Sequence, residues 1–252
     1  MPTMADATST GAGPRTGGRI SRMPKPARPT PVTFDEALAL LREQARPEVL
    51  ASMASFGMNT EGRLGLSVPA LRLLGRQIGR QHELALALAA SGIPDAQILA
   101  AYVAEPARFT VAQMNSWVAA LNAWDTCDQA CTNAFAPSPL AWGRVPVWAA
   151  HEPEFERRAA FALLAALAVH DKAADDEHFI AVLPLIEQHA GDERNFVKKA
   201  VNWALRQIGK RNATLRPLAI ASAERIATQP SRAARWVAAD ALRELRTPPT
   251  AP

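Results

Sequence analysis

The chain has 252 residues, 48% hydrophobic and 21% charged, with a formal net charge of +4. That supplies a full core for one large domain or two small ones, and the absence of an uncharged apolar run of about 18 residues excludes a simple membrane anchor. The two cysteines, Cys127 and Cys131, lie one helical turn apart, so a disulfide would be strained; they read as reduced thiols packed as small hydrophobes in a cytoplasmic protein, not as a zinc framework.

Residues 1–32 are rich in Pro, Gly, Ser and Thr, and they set Arg15, Arg19, Arg22, Lys25 and Arg28 against Asp6 alone. Without an apolar stretch they read as a disordered basic tail and not a signal peptide, and residues 249–252 as a disordered end. The tail's charge equals the net +4 of the chain, so the body is neutral overall. It is unevenly so: residues 33–190 carry 11 Lys/Arg against 18 Asp/Glu, and residues 191–252 carry 12 against 5. The pI near 9.5 therefore reports a basic tail and a basic C-terminal face.

From residue 33 to 248 the chain reads as one all-α domain. Strand signals are nearly absent, with one Tyr and no Asn-Gly or Asp-Gly turn. Helix starts recur at short intervals. Thr33 with Glu36 makes a capping box, Ser67 precedes Pro69, and Pro94 opens DAQILAAYVA. Thr110 opens VAQMNSWVAALN, and Asp175 and Asp176 open EHFIAVLPLIEQHA. The pattern predicts about thirteen helices joined by short loops.

In NAWDTCDQAC, Trp124 and Asp128 are four apart and share a helical face, beside an apolar stripe of Cys127, Ala130, Cys131 and Ala134. Asp128 thus lies at the core's edge, where a carboxylate stays charged only with a partner or water. Asp125 is the expected helix cap. Farther on, Arg157 and Arg158 are the last charges before Ala159–Val169, an uncharged stretch that has to be buried. Arg158 can hold a phosphate in fork geometry or pair with Asp128.

Asn195–Lys210 places Val197, Val201, Ala204, Leu205 and Ile208 on one stripe and Trp203 roughly opposite, in a row with Lys199, Arg206 and Lys210. Such a row repels itself unless it meets an anion, and the indole face suits a flat or cationic group. The alternative is a two-sided helix whose Trp packs on a neighbour. The blocks starting at Arg157, Lys198 and Arg235 align at offsets of 41 and 37 residues, each a cation leading into a small-residue helix. A period near 40 is the size of a two-helix HEAT-type repeat, and stacked pairs would line these cations along one concave surface; a plain bundle is the alternative. No HExxH, Gly-rich phosphate loop or GxSxG occurs, which sets aside zinc hydrolases, kinases, dinucleotide enzymes and α/β-hydrolases.

From about Met53 to Leu245 the chain resembles the bacterial DNA alkylation repair proteins of the HEAT-like DNA glycosylase superfamily, the AlkD-like group. The likeness is carried by LGLSVPALR, ELALALAASGIPDAQILA, WDTCDQ, RRAAFALLAALAVHDK, ERNFVKKAVNWALRQIGKRN and SRAARWVAADALREL. It implies a curved solenoid of HEAT-like repeats that excises positively charged N3- or N7-alkylated purines from duplex DNA, without cofactor, metal or base flipping. The implied working groups are Trp124, Asp128, Arg158 and Trp203, with Phe56 as a pocket aromatic from the second helix. Arg157, Arg158, Lys198, Lys199, Arg206, Lys210, Arg211 and Arg235 form the expected DNA-binding set, and a monomer is the expected state. Superfamily members that lose part of the quartet bind DNA structures without excision; here all four positions are filled.

Overall fold

The computed structural model describes residues 31–247. The expected disordered segments fall outside that range, save Pro31 and Val32, and Val32 already packs against the core. The described residues form thirteen α-helices and no strand. In chain order these are α1 (Phe34–Glu43), α2 (Leu50–Ser55), α3 (Val68–Ile78), α4 (His82–Ala89), α5 (Pro94–Val103), α6 (Val111–Ala119) and α7 (Trp124–Ala130). Then follow α8 (Ala141–Ala149), α9 (Glu154–His170), α10 (Asp176–His189), α11 (Asn195–Arg211), α12 (Leu215–Ala227) and α13 (Arg232–Arg246). None is long and apolar enough to cross a membrane.

The caps explain where helices begin. Thr33 Oγ1 accepts from the Glu36 amide at 3.3 Å while Glu36 Oε2 accepts from the Thr33 amide at 2.8 Å, the reciprocal pair expected of a capping box. Thr110 and Gln113 repeat the arrangement at α6, and Ser67 caps α3 just ahead of Pro69.

The helices pack in two layers. From α3 onward each odd-numbered helix touches the next odd one, through α5, α7, α9, α11 and α13, while α4, α8, α10 and α12 back them on the other side. Each unit therefore buries its apolar face against its neighbours, as a HEAT-type solenoid requires. The uncharged run of α9 is buried from Ala159 to Ala168. In the core the rings of Phe109, Trp117 and Phe135 meet edge-on at centroid distances of 5.3–5.9 Å, a geometry favoured by aromatic quadrupoles, and Trp148 meets Phe135 at a tilt at 5.5 Å. At Gly209 a β-carbon would lie 2.7 Å from a Leu245 methyl and 2.9 Å from the Ala219 β-carbon, so side chains from α13 and α12 fill the space that a side chain on α11 would need.

Candidate active site

The site grows from α7. Its N-cap is Ala123, extended at φ −143° and ψ 148°, and no side chain caps the helix. Asp125 does not cap it, contrary to expectation. It sits in the first turn, buried, with Oδ2 2.8 Å from Arg63 Nη2; the two side chains are 7% and 1% exposed. A buried guanidinium outcompetes backbone amides for this carboxylate because the unpaired alternative costs both charges their solvation. Arg63 Nε also donates to the Asn59 carbonyl at 2.8 Å within the same loop, so the ion pair fastens a braced segment after α2 onto α7. After Ala130 the helix widens into a π-helical turn, Cys131–Phe135. Both cysteines are free and buried, and Cys131 Sγ donates to the Ala159 carbonyl at 3.4 Å.

Asp128 lies one turn beyond Trp124 on the same face, 17% exposed. Arg158, near the start of α9, meets it with Nη2 at 2.8 Å from each carboxylate oxygen and Nε at 3.1 Å from Oδ1. Its remaining arm, Nη1, donates to the Phe196 carbonyl of α11 at 2.7 Å. Arg158 thereby joins three helices, and the phosphate-holding alternative gives way to the ion pair, because its donors are already engaged. Burial pushes the Asp128 carboxyl above the ordinary aspartate value of 3.8; the Arg158 guanidinium opposes this and Asp125 adds to it.

α11 completes the site. Phe196, Lys199 and Trp203 are spaced three and four apart and so share one face. With Trp124, Asp128 and Arg158 they line a cavity of about 290 Å³. Phe56, at the end of α2 and 71% exposed, forms its outer wall. The four residues of the expected quartet and the expected pocket aromatic therefore converge on one place. An anionic carboxylate is held at the wall of an aromatic, cation-edged cavity, a setting suited to a flat, positively charged ligand.

The expected cation set does not converge so fully. Lys199 lines the cavity, but Arg206 pairs with Glu244 of α13, and Lys210 Nζ lies 2.6 Å from Oε1 of the same residue. The C-terminal half of the α11 row therefore meets the protein's own carboxylates. Arg157 bonds to Asp192 at 2.9 Å and to the Ala149 carbonyl at 3.0 Å. Arg211 donates to the carbonyls of Ala168, Asp171 and Ala174 at 2.7–3.0 Å, closing the end of α9. Lys198 lies over the Trp236 ring at 5.1 Å, and Arg235 donates to the Pro230 carbonyl.

Residues 37–245 match the profile of a family described as DNA alkylation repair enzyme. The chain belongs to that family. A solved structure with a TM-score of 0.68 and 17% identity covers 83% of this chain and 94% of its own. It is described as representing a new family of proteins related to the HEAT-like repeat DNA glycosylases, with affinity for branched DNA structures. That likeness establishes the HEAT-like fold. No curated protein matches the chain. Among the described residues, no group of three or more His, Cys, Asp or Glu side chains gathers as metal ligands would.

Two site features escaped the sequence reading. Phe196 stands seven residues before Trp203, so extending the Lys199–Trp203 row by one turn finds it. Arg63 carries no such signal, since its pairing with Asp125 spans 62 residues and depends on how the loop after α2 folds back.

Proposed function

We propose that this DNA alkylation repair family protein is a monofunctional DNA glycosylase acting on positively charged N3- or N7-alkylated purines in duplex DNA, as a monomer and without cofactor. The observation that carries the reading is the Asp128 carboxylate, held by Arg158 at the wall of a cavity bounded by Phe56, Trp124, Phe196 and Trp203. Alkylation at N7 or N3 leaves the purine cationic, so it departs without a general acid. The C1′–N bond breaks with its electron pair going to the purine nitrogen; water forms the new C1′–O bond and releases a proton to solvent. What the protein supplies is charge and position. Asp128 stabilises the oxocarbenium-like sugar and orients the water, while the indoles of Trp124 and Trp203 face the cationic base, each contributing about 0.5–2 kcal/mol. Arg158 keeps Asp128 ionised and oriented before DNA arrives, so little reorganisation accompanies the reaction. The cavity's exposed wall at Phe56 supports attack without extruding the nucleotide into a deep pocket.

A second reading is a DNA-structure-binding protein that does not excise, favoured by the branched-DNA affinity attributed to the structurally similar protein. Asp128 separates the two, because binding a polyanion has no use for a carboxylate. The test incubates the purified protein with duplex DNA containing N7-methylguanine and scores released base and alkali-labile sites. Asp128→Asn, whose amide oxygen still accepts from Arg158, is expected to lose some stability but to stay folded at assay temperature, to retain DNA affinity and to lower single-turnover excision by roughly one to three orders of magnitude. Release by the wild type that Asp128→Asn leaves undiminished removes Asp128 from the mechanism; no release by the wild type favours the binding protein.

A further inference from the structure

The aligned doublets Arg157-Arg158, Lys198-Lys199 and Arg235-Trp236 occupy α9, α11 and α13 in succession. Arg158 and Lys199, the second members, both line the cavity. Trp236 stands at the same position one repeat farther along the odd-numbered layer. Of the six tryptophans it is the exposed one, at 40%. A lone exposed indole needs no explanation, but its surroundings add to the case. Lys198 Nζ lies 5.1 Å from the ring centroid. Arg232 and Arg235 are exposed, and no ion pair joins them or Lys198 to a carboxylate among the described residues. Glu193, the nearby acid, accepts from Ser231 Oγ at 2.8 Å and the Ala233 amide at 3.0 Å; it feels the charges of Lys198 and Arg232 without an ion pair to either, and one carboxylate against three cations leaves the patch positive. At the other end of the same helix pair the cations Arg206 and Lys210 are matched by Asp240 and Glu244. The cations of α11 are thus ion-paired to α13 at one end, whereas, among the described residues, Lys198, Arg232 and Arg235 carry no such pair at the end where the cavity opens.

We propose that Trp236, with Lys198, Arg232 and Arg235, forms a second DNA subsite that grips the lesion-bearing strand beside the nucleotide in the cavity. The occupant follows from the charge: a polyanion with a flat or sugar face for the indole. Packed helices lie roughly 8–10 Å apart, about two to three steps along one strand at 3.4 Å each. The cations take phosphates and the indole takes a deoxyribose or a base face. This subsite rests on the DNA-directed reading of the cavity and adds a footprint to it.

The test measures binding of the full chain to fluorescent duplexes carrying a central N7-methylguanine. In one series the damaged strand ends one nucleotide past the lesion on either side; in the other it extends at least six. For the wild type, truncation on one side is expected to lower affinity about five- to 140-fold, the range of one stacked base. Trp236→Ala is expected to bind the long duplex that much more weakly and to lose the truncation effect on that side, while Trp236→Phe keeps most of it. Arg232→Ala with Arg235→Ala should make the slope of log affinity against log salt shallower by up to about 1.8. All variants are compared at equal melting temperature and helical signal. A wild type indifferent to strand length on both sides, or variants with unchanged affinity, salt slope and footprint, overturn the subsite while leaving the cavity reading intact. A wild type that neither binds nor cleaves these duplexes removes the cavity reading itself.

Discussion

Removing Arg63 isolates the energetic role of the ion pair beneath the site. Arg63→Met leaves Asp125 7% exposed, with Oδ1 already lacking a protein partner. Breaking a buried pair costs roughly 3–5 kcal/mol. A ceiling exists, because the stranded carboxyl can take up a proton. Protonating it at pH 7 from an unfolded value near 3.9 costs about 4 kcal/mol, at 1.36 kcal/mol per pH unit. The expected loss at pH 7 is therefore about 3–4 kcal/mol, which lowers the melting temperature by roughly 10 °C for a protein of this size. The pH dependence carries the diagnosis. A carboxyl stranded without its partner inside a fold favours the protonated form, so the variant's stability is expected to fall as pH rises toward 7. At pH 5 the ceiling drops to about 1.5 kcal/mol. Urea unfolding of wild type, Arg63→Met and Arg63→Met with Asp125→Leu at pH 5 and 7 measures this. The double variant should recover most of the loss, since a matched apolar pair replaces a buried ion pair at little cost. A loss below about 1 kcal/mol that is the same at both pH values would refute the argument.

Three further outcomes follow from the charges. Because burial raises the Asp128 carboxyl and only its ionised form stabilises a cationic sugar, excision should fall on acidification from a midpoint above 3.8; a single-turnover pH profile flat down to that value removes Asp128 as the titrating group. Lys199→Ala should flatten the salt dependence of DNA affinity by about 0.9, whereas Arg206→Ala and Lys210→Ala, paired to α13, should change it little and lower stability by about 0.2–1 kcal/mol each; equal slope changes at all three positions contradict the pairing. Burial alone would raise Asp192, but hydrogen bonds from Arg194 and Arg157 hold it at about 2, so its contribution is present above the unfolded value and lost as pH falls through the folded one. Asp192→Asn should destabilise by about 1 kcal/mol at pH 7, and the difference from wild type should close between about pH 4 and pH 2.

The two-layer solenoid was legible because helix starts are written locally. Thr33, Ser67 and Thr110 announce their helices within four residues, and the 41- and 37-residue offsets exposed the repeat. The placement of Trp124 and Asp128 on one face was equally local, being a spacing on a single helix. Long-range pairing is what the chain did not display. Asp125 looked like a cap because the residue type and position suit one, and a distant guanidinium claimed it instead. The cations of α11 looked free because their partners, Asp240 and Glu244, lie one repeat away. Periodicity along one helix gives the face of a charge, but its neutralisation depends on the neighbour's register.

The bridge made by Arg158 also bears on mechanics. A repeat stack is compliant, since each unit contacts only the units beside it and small rotations accumulate along its length. Arg158 stitches α7, α9 and α11 together through side-chain and main-chain bonds at one point. Across that span a change in curvature has to stretch charge-assisted hydrogen bonds, which resists relative displacement of the three helices that carry the cavity wall. The α11–α13 contact is tied in a similar way, by the pairs of Arg206 and Lys210 with Glu244, so the stiffened stretch continues toward the C-terminal end of the stack.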